Sequence, residues 1–472
     1  MKRLTAILLI LSFTLICLCG SLTLGASASE LTLIGDTDGD GIITVCDALY
    51  ILRVSANIVL AAEGIICDVD DNGSVTTADA LNILRSAIGL IGSYGYAGVE
   101  LSFTPNEAAT AVGVTQEMLT RAVVSEGNTA RLADLMNRAA TGEDITIGVI
   151  GGSITAGSAA SSSSKEYGSL LSAWWRTAFP DSSVTYRNAG IGATGSVIGV
   201  HRAPFQLLSY EPDLVVVEFA VNDTASVQDT IAYESLIRRI LANDTNTAVI
   251  MLFMSTDTGY NVQSAEIPLG NNYGIPMISY RDAIYPEITQ GRLLWTDISP
   301  DTIHPNDKGH AITASLITSY LQGVKEQAQY LSTVITTELP DTVVGNKYEN
   351  GIFITPNEYT PLNIGGWKVT TSYQFYDFDL AWRATKRCQD FTISVTASEI
   401  FIAYRKGIDI DCGTMTVSID GGEAVEVVTY FENGWGSYMS YQQVYDSQDD
   451  AEHTVRISCR GGNCVFWGLL IS

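Results

Sequence analysis

Three side chains in this sequence have the types and spacing that acyl transfer requires. Ser153 lies in Gly-Gly-Ser-Ile-Thr-Ala-Gly (151–157), where small neighbours leave a hydroxyl exposed near backbone N–H donors. Asp301 and His304 stand three positions apart in Asp-Thr-Ile-His, close enough to meet on one turn. The carboxylate can then fix the imidazole tautomer, as serine chemistry needs. A serine hydroxyl is a poor nucleophile until a base takes its proton, and the oxyanion it generates needs aimed donors. Ser153, His304 and Asp301 meet the first need. The N–H of Ser153, the side chain of Asn222 in Ala-Val-Asn-Asp-Thr and a backbone N–H in Asn-Ala-Gly-Ile-Gly-Ala-Thr (188–194) meet the second. Each signal alone has an ordinary reading, because a Ser in a Gly turn is usually a turn and a strand-end Asn is usually a cap. The set points to acyl transfer through a serine nucleophile.

The elements that must hold these residues begin at residue 145. Apolar runs at Ile145–Ile150, Val184–Arg187, Leu214–Phe219, Ala248–Phe253 and Pro276–Ile278 alternate with helix-like stretches at Tyr167–Ala178, Thr230–Ala242 and Asp307–Gln322. Continuous apolar strands between helices predict a parallel sheet covered on both faces. The site then belongs at the carboxyl ends of the strands, where Ser153 and Asn222 fall. The order Ser, then Asn, then Asp/His, in four blocks over residues 145–325, resembles the SGNH (GDSL-type) hydrolases. That resemblance implies a flavodoxin-like three-layer α/β domain at 141–325, with a segment at 93–140 read as linker and leading helix. It departs from the family in Gly152 for the usual Asp and Ala220 for the usual Gly, and it leaves Gly192 and Ala193 as alternatives for the backbone oxyanion donor. His201 and Arg202 are expected on a helix surface, and His310 and His453 in structural roles.

Residues 36–53 and 68–85 repeat one pattern, with Asp-Ala-Leu-x-Ile-Leu-Arg in register. Oxygen side chains fall at loop positions one, three, five and twelve, as Asp36, Asp38, Asp40 and Asp47, and as Asp68, Asp70, Asn72 and Asp79. Gly41 and Gly73 stand at position six, and Ile42 and Ser74 at position seven offer a carbonyl. This is EF-hand spacing, since Ca²⁺ takes six to eight oxygens and Gly permits the sharp turn. One helix follows each loop, at Ala48–Val54 and Ala80–Ile88, and no helix enters it. Two such units resemble a dockerin over residues 35–92. The resemblance implies structural Ca²⁺ and a cohesin partner, with contact centred on Val45, Cys46, Thr77 and Ala78.

The rest of the chain sets the context. The first 28 residues, with Lys2 and Arg3, an apolar run and Ala26-Ser27-Ala28, read as a secretory signal peptide. Its removal takes two basic groups and no acidic one, deepening the formal net charge from −26 to −28. Such a field repels nucleic acid and anionic membrane but not a neutral polysaccharide. The six cysteines beyond the signal permit disulfides in an exported chain, with Cys46–Cys67, Cys388–Cys412 and Cys459–Cys464 as candidate pairs. Residues 340–472 alternate in polarity and predict a β-sandwich, with 391–407 and 414–431 as hairpins and Trp367, Trp382, Trp435 and Trp467 as core or as a sugar platform. The two resemblances together imply a secreted esterase deacetylating plant-wall polysaccharide such as xylan or mannan, with no cofactor in catalysis. A lipase-like or thioester hydrolase using the same triad, or a non-catalytic carbohydrate-binding protein, are the competing expectations.

Overall fold

The computed structural model describes residues 31–244, 246–371, 378 and 380–472, and the signal-peptide reading falls outside them. No helix among the described residues is long and apolar enough to cross a membrane.

The duplicated segment forms a small unit of its own. Strand β1 (Thr32–Leu33) pairs antiparallel with β2 (Tyr96–Ala97) and closes it around α1 (Val45–Ser55) and α2 (Thr77–Ala87). Thr44 and Asp47 make a capping box on α1, and Thr76 and Asp79 repeat it on α2. The core is modest: Ala48, Ile51, Cys67, Val69, Ala80 and Ile83. The unit meets the rest of the chain where Ser93 and Thr333 exchange backbone and side-chain hydrogen bonds of 2.8 and 2.9 Å.

The α/β domain starts earlier than its motifs suggest. The segment expected to be linker and one leading helix supplies α3 (Glu107–Val112), α4 (Gln116–Ala122), β3 (Val123–Ser125) and α5 (Ala130–Ala140). There follow β4 (Ile145–Gly151), α6 (Tyr167–Ala178), β5 (Val184–Gly190), α7 (Ser196–Gln206), β6 (Leu214–Glu218), α8 (Val227–Asn243), β7 (Ala248–Phe253), α9 (Gln263–Asn272), β8 (Met277–Ser279), α10 (Tyr280–Thr289), α11 (Trp295–Ile298) and α12 (Asp307–Gln327). The sheet order is β3-β8-β7-β6-β4-β5, so it has six strands where five were expected; β4 to β8 run parallel and β3 caps the edge antiparallel. Both faces of the central strands β4, β6 and β7 are buried, their residues being almost all apolar. On β6, Leu214 and Val216 face a core with α4, α5, α6, α10 and α12, while Val215 and Val217 face a second core with α7 and α8.

That second core continues into the C-terminal region. Its strands are β9 (Ile352–Ile354), β10 (Lys368–Thr371), β11 (Leu380–Ala384), β12 (Phe391–Lys406), β13 (Thr414–Ile419), β14 (Val425–Val428), β15 (Tyr438–Gly461) and β16 (Cys464–Ile471). They join in one antiparallel sheet, β10-β11-β16-β12-β15-β13-β14 with β9 on β16, and not in the two sheets of a sandwich. Residues 391–406 are one strand of 16 residues and not a hairpin, bent by register shifts at Ala397/Glu399 and Ile400/Phe401. The bend lets the sheet curl around Trp382, Phe391, Ile402 and Phe466 on one face. From the other face Phe401, Met439, Trp467 and Leu470 pack with Ile198, Tyr233 and Ile237 of α7 and α8. Trp367, Trp382 and Trp467 are therefore core, whereas Trp435 is 71% exposed and stacks on Tyr438. The Sγ atoms of Cys459 and Cys464 face each other at 3.5 Å, and all six described cysteines are free thiols.

Candidate active site

Ser153 occupies the second position after β4, at the carboxyl end of the sheet. The chain reverses there through Ala156 N–H to Gly152 O (3.0 Å) and Ser158 N–H to Ser153 O (3.0 Å). The two preceding glycines are steric requirements. A Cβ on Gly151 would lie 2.2 Å from Thr155 Oγ1, and one on Gly152 would lie 2.0 Å from Asn222 Oδ1. Asn222, in the loop after β6, thus fills the space that a side chain at 152 would need.

The other two members come from the loop before α12. The Ser153 hydroxyl donates to His304 Nε2 at 2.9 Å, and His304 Nδ1 donates to Asp301 Oδ2 at 2.8 Å. Asp301 Oδ1 also accepts the N–H groups of Ile303 and His304, each at 2.7 Å. Ser299 Oγ lies 2.7 Å from the carbonyl oxygens of both Asp301 and His304, and Trp295 Nε1 donates to Asp301 O. Asn306 caps α12 directly behind. Partial burial acts to raise the Asp301 carboxyl, but hydrogen bonds from the His304 N–H, the imidazole and the Ile303 N–H outweigh it and hold it below its ordinary value. It is an anion wherever the imidazole must donate to it.

The loop after β5 completes the constellation. Gly192 faces Ser153, since a Cβ on it would be 3.8 Å from Ser153 Cβ, and Ala193 takes a left-handed conformation at φ 60°. Ile191 N–H bonds Gly151 O at 3.1 Å, tying this loop to the serine turn. The arrangement offers a hydroxyl with a general base, a base with an anionic orienter, and a second loop with N–H donors beside the hydroxyl. That is the equipment for attack on an ester carbonyl.

The family model of GDSL-like lipases and acylhydrolases matches residues 149–312. Among solved structures, a two-domain esterase (CEX) active on acetylated mannans, co-crystallised with mannopentaose, is 30% identical at a TM-score of 0.69; the match covers 75% of this chain and 97% of that one. The same esterase without the sugar gives the same identity and TM-score over 75% and 98%. Comparison with the curated proteins gives no match. The chain belongs to the GDSL-like lipase/acylhydrolase family. It is a carboxylic ester hydrolase.

In this GDSL-like hydrolase the departures at Gly152 and Ala220 have local causes: Asn222 leaves no room at 152, and Ala220 is fully buried. His201 and Arg202 are not on a helix surface; both are fully buried. His201 Nδ1 sits 2.7 Å from Val197 O, and burial drives its pKa down to about 4. The Arg202 guanidinium donates to Gly151 O and Ala189 O, clamping the ends of β4 and β5 together. His310 accepts the Tyr167 N–H at 3.3 Å, and His453 pairs with Asp420 at 2.7 Å. Glu218, Thr155 and Asp223 escaped the sequence reading. Their signal was a Glu closing the otherwise apolar run Leu-Val-Val-Val-Glu.

In the repeat unit, carboxylate oxygens of Asp36, Asp38 and Asp47 gather within 4.8 Å of one another, as do those of Asp68, Asp70 and Asp79. Asp40 stands outside the first group; its Oδ1 accepts the Ile42 N–H, and Asn72 Oδ1 accepts the Ser74 N–H in the second loop. Partial burial raises the Asp38 carboxyl, and repulsion from Asp47, Asp40 and Asp36 adds to it against a bond from the Asp40 N–H. A hard divalent cation is the group that such oxygen clusters accommodate.

Proposed function

We propose that this chain is a secreted serine esterase that removes O-acetyl groups from a plant-wall polysaccharide, mannan or xylan, using Ser153, His304 and Asp301. The observation that carries the reading is the unbroken hydrogen-bond line from Asp301 Oδ2 through His304 to Ser153 Oγ, at 2.8 and 2.9 Å. In this reading His304 Nε2 takes the Ser153 proton as Oγ attacks the acetyl carbonyl. The N–H groups of Ser153 and Gly192 and the Asn222 side chain receive the oxyanion; the approach of Gly192 to Ser153 favours it over Ala193. His304 then returns the proton to the departing sugar hydroxyl, and water releases acetate by the same route in reverse.

The substrate class rests on the relative of known structure, which shares both the α/β and the C-terminal regions and acts on acetylated mannans. The exposed Trp435, stacked on Tyr438 at 5.2 Å, offers a flat face for a sugar ring. The repeat unit is proposed to be a Ca²⁺-dependent dockerin. Asp36, Asp38, Asp40 and Asp47 with the carbonyl of Ile42 would hold one ion, and Asp68, Asp70, Asn72 and Asp79 with that of Ser74 the other. Its cohesin-facing groove would run between α1 and α2, lined by the exposed Val45, Leu49, Leu52 and Leu81. Acetate release from acetylated mannan and acetylated xylan, measured beside a long-chain ester, tests the enzymatic reading. Release from either polysaccharide, absent in Ser153→Ala, supports it; cleavage of the long-chain ester alone makes the protein a lipase-like hydrolase instead.

A further inference from the structure

Glu218 is an expensive residue to keep where it stands. It is fully buried at the end of β6, directly opposite Gly151 in the parallel β4–β6 register, one residue short of the Gly152–Ser153 turn. A carboxyl without water is tolerated only when its bonds compensate for the lost hydration. Thr155 Oγ1 donates to Glu218 Oε2 at 3.0 Å, while Glu218 Oε1, also buried, finds no hydrogen-bond partner. Thr155, two residues beyond Ser153, thus ties the buried carboxyl to the serine turn. The Thr155 hydroxyl in turn lies 2.9 Å from Tyr167 OH at the start of α6. The Thr155 carbonyl accepts from Asn188 Nδ2 at 2.8 Å, and Asn188 Oδ1 accepts the Gly190 N–H at 2.7 Å. One chain of bonds therefore runs from Glu218 through Thr155 and Asn188 into the loop that carries Gly192.

We propose that Glu218 and Thr155 are a positioning pair that sets the Ser153 turn in register with the oxyanion donors of the neighbouring loop. Neither touches substrate. Burial, with the nearby Asp223 adding to it, pushes the Glu218 carboxyl up to about 8, so at neutral pH it is mainly an uncharged acid. Its neutrality matters, because a carboxylate beneath the forming oxyanion would oppose the charge that catalysis must stabilise.

The inference rests on Ser153 being the nucleophile, and the experiment separates the two. Full-length wild type, Ser153→Ala, Glu218→Gln, Glu218→Ala, Thr155→Ser and Thr155→Val are compared on p-nitrophenyl acetate, with rates referred to folded monomer from gel filtration and circular dichroism. Misplacing a reacting group by about an ångström costs on the order of 10²-fold. Thr155→Val, which keeps the shape and removes the hydroxyl, should lose about that factor in kcat with KM within about threefold. Thr155→Ser and Glu218→Gln, which keep a hydroxyl and an uncharged acceptor, should restore most of the rate. Should Glu218→Ala fail to fold, Thr155→Val with its Ser counterpart still decides. Folded Thr155→Val with wild-type kcat, or with a loss that Thr155→Ser does not repair, overturns the positioning pair. A Ser153→Ala protein that keeps its rate overturns the nucleophile instead.

Discussion

Asp301→Asn changes a charge and almost no shape. The Asn carbonyl oxygen can still accept the Ile303 and His304 N–H groups that Asp301 Oδ1 holds at 2.7 Å each, so the loop keeps its form. The other terminus becomes a donor, facing an imidazole nitrogen 2.8 Å away that now donates. Nδ1 must then accept, its proton moves to Nε2, and Nε2 meets the Ser153 hydroxyl 2.9 Å away as donor against donor. In a fully buried triad this tautomer error lowers kcat about 10⁴-fold, or about 5.4 kcal/mol. Here the Asp301 side chain is 49% exposed and that of His304 27% exposed, so water competes for Nδ1 and screens the charge. The expected loss is smaller, on the order of 10²- to 10³-fold, or about 2.7–4 kcal/mol. Stability should barely move: an exposed pair contributes up to about 1 kcal/mol, worth less than about 4 °C in melting temperature for a domain of this size. Steady-state kinetics on p-nitrophenyl acetate with a parallel thermal melt measures both. An Asp301→Asn enzyme within fivefold of wild type would falsify the tautomer argument, and one that melts far lower would show that the charge supports the loop itself.

Gly152→Asp, which restores the residue usual in the family, should lower kcat at least on the order of 10²-fold, because the new Cβ lands where Asn222 Oδ1 lies and an oxyanion donor is displaced; a variant as active as wild type would remove Asn222 from the oxyanion site. Burial pushes Glu218 and Asp223 to about 8 each, whereas the unfolded chain releases those protons near pH 4. The folded state therefore binds more protons across that window, and each group should reduce stability by up to about 1.4 kcal/mol per unit as pH rises through it. Urea midpoints at pH 5.5 and 7.5 should show this as a slope that Glu218→Gln lessens, and an unchanged slope in that variant would contradict it. Removing Ca²⁺ with EDTA should melt the unit of residues 35–92 and abolish cohesin binding while p-nitrophenyl acetate hydrolysis continues. Calorimetric titration that detects no Ca²⁺ binding to the EDTA-stripped, full-length protein would end the dockerin proposal.

Ser153 and Asn222 were legible because their motifs lie at strand ends, where an apolar run stops at a Gly or Asn. Asp301 and His304 lie in the loop between α11 and α12 and were legible from their three-residue spacing. The edge strand Val123–Ser125 was not legible: three residues are too few for a period, and the strand exists because it pairs with Ile278 and Met277. Alternation through 391–406 gave the correct period but the wrong shape, since a bulge near Ala397 continues a strand where sequence suggested a turn. His201 looks like a surface residue until Tyr348 and Phe401 pack against its ring, and Arg202 until the ends of β4 and β5 take its guanidinium. Trp435 stands exposed in the turn Asn-Gly-Trp-Gly-Ser, whereas Trp382 and Trp467 lie buried within apolar strands.

Helices α7 and α8 have no free side. One flank lies on the parallel sheet, and the other is covered by Phe401, Trp467 and Leu470, while Glu234 on α8 caps the N–H groups of Val343, Val344 and Gly345 in the connecting segment. A chain cut near residue 340 would leave both helices with an exposed apolar flank and would leave Glu234 with the Tyr273 hydroxyl in place of those three N–H donors. The two regions share one core, and separating them is expected to expose apolar surface on both pieces. The repeat unit instead has a core of its own and meets its neighbour along a short seam, where Ser93 bonds Thr333 and Ser332 and Tyr96 packs edge-on against Tyr330.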